Sequence, residues 1–141
     1  MKKNCFVPFA MALAFVSLSS CQDKSYVEVA VYPTSGTIRF KGEPAYGAYL
    51  TFHPDGDVGI TKGNKPFGRA AKDGAFQVTT YDTNDGAPAG EYRVTVVWPE
   101  DPEARGPSPD RLKGRYADPQ STPLRATVEA PKAELPPLEL P

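Results

Sequence analysis

The chain has 141 residues, 16 of them proline and 12 glycine, a formal net charge of −1 and 40% hydrophobic residues. Breakers at that density exclude long helical bundles and coiled coils, and the near-neutral balance excludes a nucleic-acid binder that works through bulk positive charge. The apolar content is too high for a disordered chain, so one small globular domain is expected.

Residues 1–4 read Met-Lys-Lys-Asn, and residues 5–18 form an uncharged run rich in Phe, Ala, Val, Met and Leu. A basic start before a short apolar run is the pattern of a secretory signal peptide. The run is shorter than the roughly 20 residues a membrane span needs, and Pro8 interrupts it. It ends in Leu18-Ser19-Ser20-Cys21, which resembles the bacterial lipobox, where small side chains give a peptidase access to the bond before a cysteine. That resemblance implies a lipoprotein signal peptide over residues 1–20, cleaved to leave Cys21 as the lipidated first residue. The alternatives are an ordinary signal with an incidental cysteine, or an N-terminal helix in which Cys21 only packs. One acyl chain holds a protein marginally, at about 0.8 kcal/mol per buried CH₂, whereas lipoproteins of this type carry two or three. Gln22, in place of Asp, fits the enterobacterial pattern for sorting to the outer membrane.

Removal of residues 1–20 leaves 121 residues with a formal charge of −3 and Cys21 as the one cysteine, so no disulfide is available. Residues 21–26 read as a lipidated tether; the five that follow the cysteine extend over about 17 Å, which keeps the domain near the membrane.

From residue 27 onward, the pattern is alternation. Val27, Val29 and Val31 alternate with Glu28, Ala30 and Tyr32, as do Ile38 and Phe40 with Thr37 and Arg39, and both runs predict half-buried strands. Leu50 and Phe52 predict a third strand. Asp73-Gly74 predicts a two-residue turn in a hairpin over residues 68–81, whose second strand carries Phe76, Val78 and Thr80. The strongest signal is residues 91–98, where Tyr92, Val94, Val96 and Trp98 share one face and Arg93 and Thr95 the other. Two short strands follow at residues 124–129 and 137–140. About seven strands separated by Gly and Pro turns predict an all-β, antiparallel Greek-key β-sandwich over residues 27–141. Residues 99–123 contain six prolines and form a long non-strand segment, a class that is usually functional or disordered.

Thr34-Ser35-Gly36-Thr37-Ile38-Arg39-Phe40-Lys41-Gly42-Glu43-Pro44, then Ala48 to Pro54, then Lys72-Asp73-Gly74-Ala75-Phe76, then Ala89-Gly90-Glu91-Tyr92-Arg93-Val94-Thr95-Val96 resemble the carboxypeptidase-regulatory-like, or transthyretin-like, domain. Residues 110–124 resemble small bacterial surface lipoproteins that carry this domain. The resemblance covers about half of the mature chain. It implies a transthyretin-like sandwich and an envelope address, and leaves the ligand open.

Enzymes on related folds need constellations that are missing here. Transthyretin-like hydrolases use several histidines and the related iron dioxygenases use two, whereas this chain has only His53. No Gly-x-Ser-x-Gly elbow accompanies its serines. Asp82-Thr83-Asn84-Asp85-Gly86 fails the EF-hand spacing, since glycine falls at position 5 and position 12 is Arg93, so Asx-type turns are expected. His53 is expected as a surface or turn residue. No catalytic, cofactor-binding or metal-binding residue is therefore assigned, and no nucleic-acid partner.

One cluster remains. Arg111, Lys113 and Arg115 beside Tyr116 form a candidate interaction loop for anionic lipid head groups or glycan, with the competing expectation that these charges pair with Asp110 and Asp118 in a solvated loop. Tyr46 and Tyr49 are placed either to stack on sugar rings or to cap a sandwich end. The expectation overall is a non-enzymatic lipoprotein of the bacterial cell envelope, held to the membrane through Cys21, with an envelope protein or glycan as partner. The rival expectations are an accessory enzyme or substrate carrier using residues 99–123, and a structural spacer.

Overall fold

The structure, a computed structural model, describes residues 28–60 and 64–141. The signal-peptide, tether and Cys21 expectations therefore lie outside the described residues. Nine strands and no helix are found among those described. They are β1 (Thr34–Phe40), β2 (Glu43–Pro44), β3 (Tyr49–Pro54), β4 (Phe67–Arg69), β5 (Ala75–Gln77), β6 (Gly90–Val97), β7 (Arg125–Val128), β8 (Ala133–Glu134) and β9 (Leu138–Leu140).

They make two sheets. One is antiparallel in the order β4-β3-β6-β7, and the other gathers around β1, which pairs antiparallel with β2 and β5 and parallel with β8 and β9. The alternation read from the sequence sets which faces meet. Leu50 and Phe52 of β3 and Tyr92, Val94 and Val96 of β6 are buried against Ile38 of β1, Phe76 of β5 and Leu138 and Leu140 of β9. The Phe52 ring joins the sheets, 6.3 Å from Phe76 on one side and edge-on to Tyr92 at 6.1 Å on the other. Tyr92 is fully buried and keeps its hydroxyl satisfied by donating to the Pro88 carbonyl at 2.7 Å. This all-β architecture of two packed sheets is compatible with a β-sandwich.

Three local expectations are corrected. Residues 28–31 form no strand, and only Tyr32 makes an isolated bridge, to Ala87. Pro33, which has no N–H to give a ladder, separates it from β1.

The Asp73-Gly74 turn is closed over three residues, because Ala71 N–H donates to the Ala75 carbonyl and Gly74 N–H to the Ala71 carbonyl. Gly74 takes φ +80°, the left-handed conformation that such a turn needs at its last position. The flanking strands then part: β4 joins β3, β5 joins β1, and only the Phe67–Thr79 bridge links the two arms.

The strand predicted to continue through Thr80 and Tyr81 stops at Gln77. The Asp85 carboxylate takes the main-chain N–H groups of Thr80, Tyr81 and Asp82 at 2.7–2.9 Å, offering the backbone a local partner in place of a neighbouring strand.

The register gives the domain two ends. β1 starts and β6 starts at one end, with residues 28–33, 54–60 and 78–90; Val29 N–H reaches the Tyr81 hydroxyl there, at 3.2 Å. At the other end lie residues 41–48, 70–74, 98–118 and Pro141.

Candidate functional site in the loop after β6

The segment after β6 is ordered by its own side chains. The Asp110 carboxylate accepts N–H groups from Trp98 (2.9 Å), Leu112 (3.0 Å) and Gly114 (2.8 Å), while Arg111 N–H returns to the Trp98 carbonyl at 2.8 Å. Residues 99–110 thus leave and rejoin the same point. Their tip is clamped to the sheet: Tyr46 donates its hydroxyl to the Glu103 carboxylate, which raises the tyrosine pKa, and Arg69 Nη2 donates to the Pro102 carbonyl at 2.6 Å. Successive i→i+3 turns cover residues 110–117. The chain then runs along the outer edge of β6, where Val96 N–H reaches the Tyr116 carbonyl and Thr122 Oγ1 donates to the Val94 carbonyl, before β7 takes over the pairing. Residues 99–123, expected as a long non-strand segment, contain none of the nine strands.

Leu112 and Tyr116 are buried and close the core from above, beside Trp98. Tyr116, which lies beside the basic cluster as expected of the interaction loop, is 2% exposed and anchors the loop. Arg111, Lys113 and Arg115 are exposed on the outside of the same turns. The expected pairing with Asp110 and Asp118 is corrected. Asp110 spends its oxygens on the three N–H groups above, and Asp118 spends its own on Gln120 N–H and Ser121 Oγ. Among the described residues the ion pairs are Arg93–Asp55 at 3.2 Å and Lys132–Glu134 at 2.8 Å, both away from this loop.

Aromatic faces replace carboxylates in holding the cations. Arg111 lies 4.7 Å over the Trp98 ring and donates to the Glu100 carbonyl at 2.7 Å; Arg115 lies 5.3 Å over Tyr116. A fourth cation joins them. Lys41, at φ +51° in the turn after β1, sits 5.2 Å over Phe40, whose ring meets Trp98 edge-on at 5.6 Å. Together Lys41, Arg111, Lys113 and Arg115 line a groove of about 350 Å³ with Phe40, Leu112, Tyr116 and Pro141. No sequence pattern points to Lys41, which is 70 positions from Arg111 and reaches the groove because β1 ends beside Trp98, with Phe40 edge-on to its ring.

On the outer face of the four-stranded sheet, Tyr49, Phe67 and Val97 are the exposed large hydrophobic residues, with Tyr49 opposite both Arg69 and Val97 in register. The Arg69 guanidinium covers the Tyr49 ring at 5.3 Å. Tyr46 is occupied by Glu103, so the two tyrosines do not form one stacking platform. His53, half-buried at the end of β3, meets Thr95 Oγ1 at 2.9 Å; burial, with the Lys65 ammonium adding to it, lowers its pKa. Among the described residues no group of three or more His, Cys, Asp or Glu side chains is placed to hold a metal ion. Comparison of the chain with protein-family models, curated proteins and solved structures found no match.

Proposed function

We propose that this chain is a lipid-anchored protein of the bacterial cell envelope, with a transthyretin-like Greek-key sandwich that serves as a non-enzymatic binding or assembly module. The anchor is Cys21, and the partner is met by the loop after β6. The observation that carries the reading is the polarity of the domain. Val29 lies at one end, beside Tyr81 and Gly59, and the cation-lined groove lies at the other, past the eight-residue β6, which spans about 27 Å. A tether at Cys21 would therefore hold the first end near the bilayer and turn the groove away from it.

The order of the loop supports a binding end over a passive spacer. Asp110, Leu112 and Tyr116 fix residues 110–117 while leaving three cations outside without acidic partners. Mass spectrometry of the mature N-terminal peptide from native membranes tests the anchor. The expected peptide begins at an acylated Cys21, with Cys21→Ala remaining unacylated. An unmodified Cys21 in the wild-type protein contradicts the reading.

A further inference from the structure

We infer that the groove between Lys41, Arg111, Lys113 and Arg115 binds phosphate groups that carry more than one negative charge. The inference deepens the reading of this loop as the binding end and does not depend on the lipid anchor. Four cations from two separate segments meet around one groove, and no acidic side chain lines it. Like charges gathered in this way repel, and a protein ordinarily relieves that with carboxylates. Here the adjacent carboxylates of Asp110 and Asp118 keep their charge but direct their oxygens to main-chain N–H groups and a serine hydroxyl, and form no ion pair with these cations.

The cations are also positioned in advance. Arg111 is held between the Trp98 face and the Glu100 carbonyl, and Arg115 between the Tyr116 face and the Pro141 oxygen, at 3.5 Å. Stacking on a ring fixes a guanidinium while leaving N–H edges for a ligand, and a forked donor suits the oxygens of phosphate. Lys41 and Lys113 both stand on left-handed turn residues and contribute point charges from the rim. Four cations around one groove, none of them in an ion pair with an Asp or Glu side chain, favour a multiply charged ligand over a single carboxylate. A volume of about 350 Å³ lies at the small end of ligand sites, enough for one or two phosphoryl groups with their attachment.

Trp98 is the one tryptophan of the chain and lies under Arg111, so its emission reports occupancy of the groove. Purified full-length protein is titrated with sodium tripolyphosphate, and separately with vesicles of phosphatidylcholine containing phosphatidic acid, whose phosphomonoester carries more than one negative charge, at low and high salt. The expected result is saturable binding that weakens at high salt and falls by about tenfold or more in Lys113→Glu/Arg115→Glu and, independently, in Lys41→Gln. Circular dichroism checks that each variant folds. Response to tripolyphosphate assigns the site to free or polymeric phosphate, and response to vesicles alone assigns it to lipid head groups. Binding of neither probe, binding unchanged by both variants, or equal binding of the tricarboxylate tricarballylate overturns the inference.

Discussion

The Asp110 carboxylate accepts the Trp98 main-chain N–H at 2.9 Å, tying the end of β6 to the residue that opens the turns at 110–117. The same carboxylate takes Leu112 and Gly114 N–H groups, so one side chain sets where the loop leaves the sheet and how its cations are displayed. Hydrogen bonds to a charged group contribute more than neutral ones. Asp110→Ala is expected to lower stability by about 2 kcal/mol, measured by urea unfolding, and to loosen the groove, seen as a red-shifted Trp98 emission. Unchanged unfolding and emission would contradict the role given to Asp110.

Tyr92 is buried with its hydroxyl on the Pro88 carbonyl, two sites that fold back on each other across the entry to β6. Tyr92→Phe leaves that carbonyl without its partner and is expected to cost about 1 kcal/mol. Tyr92→Ala also opens a cavity beside Phe52 and is expected to cost about 3–5 kcal/mol, enough to unfold a marginal domain. Thermal unfolding of the two variants checks the order.

Gly86 carries the crossing of two backbones. It stands at φ +102°, and a Cβ there would lie 1.7 Å from the Tyr32 carbonyl oxygen, so the bridge between Tyr32 and Ala87 exists only with glycine. Gly86→Ala is expected to cost about 3 kcal/mol or more and to release residues 28–33, read as new proteolytic cleavage there.

Two groups make stability fall in acid. Burial alone would raise the Asp85 carboxyl, but main-chain N–H groups, among them those of Thr80 and Tyr81, more than reverse this and leave its pKa below the ordinary value. Its contribution is present above the unfolded pKa, about 4, and is lost as pH falls through the lower folded value. His53 is likewise lowered, by burial first, so the folded state prefers the neutral ring; its contribution is present above about 6.5 and is lost as pH falls through its lowered folded value. Asp85→Asn is expected to flatten the more acidic part of the stability curve, and His53→Gln the part just below neutrality. A curve unchanged by both substitutions would contradict these assignments.

The core was legible because period-two patterning states directly which side chains point inward. Tyr92, Val94, Val96 and Trp98, and likewise Leu50 and Phe52, are buried as their alternation requires. Patterning failed where a different partner took the backbone. Pro33 ended the run before β1, and Asp85 captured the amides of residues 80–82, although an aspartate shortly after a strand is a readable turn signal. In the candidate site, Arg111, Lys113 and Arg115 were visible as a cluster. Their lack of acidic partners was not, because it depends on Asp110 facing back to Trp98, and Lys41 joins them only through the contact of Phe40 with Trp98, residues far apart in the chain.

The central reading is a tether at one end and a cation-lined groove at the other. Because Trp98 is unique and sits at the groove end, quenching of its fluorescence by brominated lipids in reconstituted membranes measures this directly. The expected result is an emission unaffected by bromine in the bilayer that carries the anchored protein. Strong quenching would place the groove against that bilayer and contradict the reading.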